Sequence, residues 1–218
     1  MDNKDIPKVH TVRDLGIILS DNMKANDYIY KIRSKSNILC HSILRSFSSA
    51  NHTLLVNLFK TYVRPVLEYN TCSWSPYLKS DITSIESVQR QFTRRVCQRS
   101  NLGFSCYNDR LKVLNLESLM VRRIKQDLIF LYKMLYGLVD INYTEFFSLN
   151  NLSRYNLRRH KIQINRQPTA KTSIRNYFFS HRVVKVWNEL PEYVVDSPSL
   201  STFKFNLKRL ELNIELPN

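Results

Sequence analysis

Only three glycines, Gly16, Gly103 and Gly137, stand in 218 residues. Average usage would supply roughly 15. Tight hairpins consume glycine, because their turns need positive φ angles that other residues resist. The shortage therefore steers the chain away from hairpin-rich β architecture and toward helices. It also argues against a glycine-rich phosphate cradle, which needs several residues without a Cβ. The expected fold is mainly α, with one or two short β-strands.

Hydrophobic periodicity places the elements. Residues 9–20 alternate Leu15, Ile17 and Leu19 against Gly16, Ile18 and Ser20, which predicts a strand. A helical stripe over 24–46 carries Ile29, Ile32, Leu39 and Ile43, flanked by Tyr28, Ile38 and Leu44. Ser48, Ser49 and Asn51 form a polar break that caps the next helix, whose expected buried face is Leu54, Leu55, Leu58, Phe59, Tyr62 and Val63. Pro65 should kink or end it near Arg64. Ser80 and Asp81 are the expected caps of a third helix, with Ile82, Ile85, Val88 or Gln89, Phe92 and Val96 inward. A fourth helix is predicted over 117–136, stopped by Gly137. The polar stretch 149–176 reads as a loop, within which KIQIN at 161–165 permits a short strand. Helix resumes through Phe179, Val183, Val186, Trp187 and Leu190 and ends at Pro191. A last one should start with Ser197 as cap and Pro198 in its first position. A domain break falls most naturally in 70–81 or in 149–176.

Lys and Arg number 33 against 18 Asp and Glu, a net charge of +15. An excess of that size points to an anionic partner, nucleic acid before a membrane surface. No run approaches 18 apolar residues and residues 1–20 lack an apolar signal core, so an intracellular protein of nucleus or cytoplasm is expected. Cys40, Cys72, Cys97 and Cys106 lack the spacing of a zinc site and read as free thiols. No metal or cofactor is expected. The chain has no Asp-Asp pair, and its five histidines show no triad context, so it is not expected to be an enzyme.

The strongest intrinsic signal is a basic stretch. Between 146 and 188 there are nine cations and no Asp or Glu: Arg154, Arg158, Arg159, Lys161, Arg166, Lys171, Arg175, Arg182 and Lys185. Tyr155, Tyr177, Phe178 and Phe179 lie among them. Cations pair with phosphates, and aromatic faces stack on unpaired bases. The same aromatics could instead be core, and Phe179, which continues a helical stripe, is read so. His160 and His181 are read as nucleic-acid neighbours or bystanders. Two further groups, Lys31, Arg33 and Lys35 in the first helix and Arg90, Arg94 and Arg95 in the third, add to the candidate nucleic-acid-binding set.

Five phrases occur in a telling order: RDLGIILSDNMKANDYI, LFKTYVRPVLEYNTCSWSP, IESVQRQFTRRV, RLKVLNLESLMVRRIKQDLIFLYKMLYG and WNELPEYVVDSPSLSTFKFNLKRL. Together, over about 9–212, they resemble the part of jockey-like non-LTR retrotransposon reverse transcriptases that follows the catalytic palm. The resemblance implies that Asp14, Leu15 and Gly16 belong to the last palm strand near the primer grip, within residues 1–22. It implies thumb-like helices over 23–75 that hold a template–primer duplex, with Lys31, Arg33 and Lys35 as thumb cations. A helical C-terminal extension (76–148), a basic loop (149–176) and C-terminal helices (177–218) would follow and engage RNA or target-site DNA. Fingers, catalytic aspartates and endonuclease would lie upstream of Met1, leaving a truncated, non-polymerising fragment or an incomplete gene model. The rival expectation is a helical interaction module that self-associates through an exposed strand at 15–19.

Overall fold

The computed structural model describes residues 8–103, 106–150, 160–170, 173–210 and 212. It is mainly helical, with a single two-stranded antiparallel sheet among the described residues. No helix among them is long and apolar enough to cross a membrane. The chain forms two compact units. One gathers the described residues up to Tyr69 together with Trp74–Leu119. The other gathers Asn70–Ser73 and the described residues from Met120 onward. The division thus falls at 119–120, where the sequence carries no break in polarity, and residues 70–73 leave their neighbours for the second unit.

The first unit begins with a hairpin rather than the single strand expected over 9–20. Strand β1 (Thr11–Asp14) pairs with β2 (Ile17–Ser20), Asp14 opposite Ile17. Leu15 and Gly16 form the two-residue turn, with φ of 44° and 90°. Both central positions of such a turn need positive φ, which matches the twist of the strands but strains a leucine. The Tyr69 hydroxyl donates to the Leu15 carbonyl at 3.1 Å and holds the turn from 54 residues away. Ile17 is buried, whereas all four residues of β1 are exposed.

Helix α1 (Asn26–Ser46) follows, then α2 (His52–Leu58), capped as expected by the Asn51 side chain accepting from the Leu54 amide at 3.1 Å. Pro65 does not end the helix. The chain widens into one π-helical turn over Phe59–Val63, in which the Arg64 amide reaches back to the Phe59 carbonyl, and continues as α3 (Arg64–Glu68). Widening the turn accommodates a residue that has no amide hydrogen to give and whose ring crowds the turn before it. The register change also turns Tyr62 out to solvent, while Leu55, Phe59, Val63 and Leu67 stay inside.

After α4 (Thr71–Trp74) comes α5 (Lys79–Arg99), which starts at Lys79 without a side-chain cap, so Ser80 and Asp81 lie inside its first turn. Phe59 of the π turn stacks on Phe92 of α5 with centroids 4.8 Å apart. Tyr28 meets Trp74 edge-on near the start of α1 and α5, and Arg99 reaches the Leu44 and Phe47 carbonyls near their ends, so the two helices run side by side in the same direction. Helix α6 (Tyr107–Val113) closes this unit.

Helix α7 (Leu119–Leu135) ends at Gly137 as expected. The Leu138 amide bonds the Lys133 carbonyl, the Gly137 amide bonds that of Met134, and Gly137 has φ +64°. This left-handed stop suits glycine. The second unit packs α8 (Phe179–Asn188), α9 (Glu192–Val195) and α10 (Leu200–Arg209) with α7 around Leu128, Leu131, Tyr132, Trp187 and Phe203. KIQIN makes one bridge, Ile164 to Leu149, rather than a strand. The cap of α10 is Ser199, whose side chain accepts from the Thr202 amide. Ser197 is buried and donates instead to the Val194 carbonyl at 2.7 Å.

Candidate nucleic-acid interface

A charge can serve a partner only if the fold leaves it unpaired and wet. That criterion divides the cations of the first unit. On α1, successive residues turn by about 100°, so Lys31 and Lys35 share one face while Arg33 falls on the other side. Lys31 and Lys35 are exposed; Arg33 is half-buried, with its Nε shut away from solvent. The three expected thumb cations are therefore a pair plus a flank residue. Arg45 and His41 are exposed on the same broad face as Lys31 and Lys35.

On α5, Arg90 and Arg94 are one turn apart and exposed, as is Arg95. Arg90 lies over the Tyr107 ring, 5.0 Å from its centroid. Arg95 Nη1 approaches His41 Nδ1 at 3.2 Å. A guanidinium only donates, so this contact requires His41 Nδ1 to accept and its proton to sit on Nε2. The contact joins the α5 cations to the α1 face. Arg99 is occupied at the end of α1, at 2.6 and 2.9 Å from two carbonyls, and Arg110 is buried.

No acid opposes these faces locally. There is no Asp or Glu between Asp27 and Glu68, nor between Glu86 and Asp109. Glu86 itself is buried, accepting from the Tyr107 hydroxyl at 2.6 Å and from the Leu119 amide at 3.1 Å at the start of α7. Its charge complements the N-terminus of α7. The sequence reading missed Arg45. The signal was an acid-free run, 28–67, nearly as long as the one at 146–188.

In the second unit Lys161, Arg166, Arg175 and Lys185 are exposed. Arg154, Arg158, Arg159 and Lys171, and Tyr155 with them, lie outside the described residues. Arg182 departs from the sequence reading. It forms a two-pronged ion pair with Asp127, at 2.8 and 2.9 Å, and donates to the Cys72 and Tyr177 carbonyls at 2.9 and 3.1 Å. Asp127 comes from α7, 55 residues away, so local composition could not reveal the pairing. Burial first, and then Asp127, pushes the Cys72 thiol up to about 12.

The two histidines of the basic stretch, His160 and His181, are interior groups. His160 is buried, its Nε2 donating to the Trp187 carbonyl at 2.9 Å. His181 is buried, and burial, then Arg175 and Arg166, hold its imidazole below the usual value. Phe179 packs against Phe130 and Phe147, as core. Tyr177 and Phe178 are exposed. Among the described residues the cysteines are free thiols, and no group of three His, Cys, Asp or Glu side chains gathers in a way that could hold a metal.

Over 151 residues the chain is 29% identical to an uncharacterized protein of Caenorhabditis elegans, a match covering 68% of this chain and 75% of that protein. No protein-family model matches the chain. No solved structure matches it.

Proposed function

We propose that this chain is a non-catalytic nucleic-acid-binding protein, related to the thumb and post-thumb part of non-LTR retrotransposon reverse transcriptases. The observation that carries the reading is the exposed, acid-free basic surface of α1 and α5, Lys31, Lys35 and Arg45 with Arg90, Arg94 and Arg95. Phosphates are its natural counterpart, RNA or DNA the partner. Neutralising a phosphate releases counterions, so log affinity should fall linearly with log salt, by about 0.9 per duplex contact. Four engaged cations give a slope of about −3.6 by that relation. Lys31→Gln with Lys35→Gln should flatten it by about 2 units, without loss of fold, since both side chains are exposed. Fluorescence anisotropy on a labelled duplex at several salt concentrations measures this. An unchanged slope in the double variant removes α1 from the interface.

Catalysis is not part of the proposal. Two-metal polymerases align the primer end with clustered aspartates, and this chain has no Asp-Asp pair. A primed template supplied with Mg²⁺ or Mn²⁺ should gain no nucleotide. Template-dependent incorporation would sink the non-catalytic reading.

One observation favours a second reading, a self-associating interaction module. Among the described residues nothing pairs with the outer edge of β1, and Leu15 at the hairpin tip is 78% exposed. If the chain binds no nucleic acid at low salt but sediments as a concentration-dependent oligomer, that reading replaces the first.

A further inference from the structure

The polypeptide between Ser173 and Phe178 presents large apolar side chains on a hydrogen-bonded turn. A 3-10 turn covers Ile174–Tyr177, and the Ser173 side chain accepts from the Arg175 amide at 3.2 Å. Residues three apart eclipse in such a helix, so Ile174 and Tyr177 lie one above the other. The turn is tied down from three sides. The Asn176 side chain donates to the Ala170 carbonyl at 2.8 Å and accepts from Thr169. The Phe178 amide donates to the Arg175 carbonyl at 3.1 Å. Arg182, fixed by Asp127, donates to the Tyr177 carbonyl. Despite this anchoring, Tyr177 and Phe178 are each 42% exposed. Phe179, the next residue, is half-buried and packs against the core.

The charge around the turn is positive. Arg175 is on the turn and exposed, its guanidinium 3.3 Å from Gln167. Arg166 is exposed one residue before that glutamine, and both arginines act on the buried His181 next to the turn. No carboxylate occurs between 146 and 188. Exposed rings on a fixed backbone beside guanidiniums suit a base face together with its phosphate. A duplex hides its base faces within the stack, whereas a single strand offers them.

We infer that Tyr177 and Phe178, flanked by Arg175 and Arg166, form a stacking platform for unpaired nucleotides, giving the second unit a single-strand preference. The inference rests on the nucleic-acid reading above and adds to it a strand class and a second contact.

The test uses the full chain, a fluorescein-labelled oligothymidylate and a duplex of the same length. Stacking on one ring is worth about ten-fold in affinity. Phe178→Ala should weaken oligothymidylate binding by about that factor, and Tyr177→Ala with Phe178→Ala by about a hundred-fold. Duplex affinity and both salt slopes should stay as in the parent, since no charge is removed. Phe178→Trp should restore single-strand binding. Circular dichroism and thermal melting confirm that the variants fold. Unchanged oligothymidylate affinity in the folded double variant overturns the platform, as does an equal loss on single strand and duplex. In either case salt-dependent duplex binding by the parent leaves the broader proposal standing. A parent chain that binds neither probe at low salt overturns both.

Discussion

Trp187→Ala is expected to lower the unfolding free energy by about 3–5 kcal/mol, the range for deleting a large core aromatic. Trp187 is fully buried on the inward face of α8. Its Nε1 donates to the Ile162 carbonyl at 2.9 Å, and its own carbonyl accepts from His160. The His160 ring meets the indole edge-on at 5.9 Å, and Phe203 approaches it at 6.2 Å. The indole therefore fills the core of the second unit and pins residues 160–164 onto α8. Alanine leaves a cavity and also strips Ile162 of its donor. Trp187→Phe keeps most of the volume and loses the hydrogen bond, so it should cost about 1–2 kcal/mol. Urea denaturation followed by circular dichroism measures both. A change below about 1 kcal/mol for Trp187→Ala would show that the ring is not packed.

That burial was legible in the sequence, because Val183, Trp187 and Leu190 recur at helical spacing. The stop at Gly137 was legible for a similar reason: one residue type satisfies a left-handed position. Features that depend on distant partners were not. Leu15-Gly16 lacks the Asn-Gly signature of a two-residue turn, and part of what holds it is a hydroxyl from Tyr69. Pro198 in a first helical position favours Ser197 as the cap, yet the cap is Ser199. Ser197 is instead buried, donating to the Val194 carbonyl and accepting from the Asn206 side chain of α10. At the candidate interface, the spacing of Lys31 and Lys35 gave a shared face and excluded Arg33 by simple rotation, so that division was available from helix geometry alone. The engagement of Arg182 was not, because its counter-charge belongs to another helix. Composition counts charges but does not show which of them the fold has already paired.

The Asp127–Arg182 pair should therefore behave as structure and not as interface. Its side chains are 5% and 20% exposed, so each is largely removed from water. Removing one member leaves the other buried and uncompensated, at a cost of about 3–5 kcal/mol. Asp127→Leu and Arg182→Met should each fall in that range, Arg182→Met toward the upper end because it strands the more deeply buried member, the Asp127 carboxylate. Replacing both with apolar residues of similar volume removes the uncompensated charge, and such exchanges are often close to neutral. The double variant should thus recover most of the loss, with a coupling of about 2 kcal/mol or more in a double-mutant cycle. Arg182 additionally orients Tyr177 through its carbonyl and reaches Cys72 of α4, so the recovery should stop short of the parent. Nucleic-acid binding offers an independent readout. The salt slope of Arg182→Met should match that of the parent, since a guanidinium already neutralised by Asp127 releases no counterion to phosphate. A slope flattened by about one unit would place Arg182 on the phosphate instead, and additive losses in the double variant would show that the two side chains are not coupled.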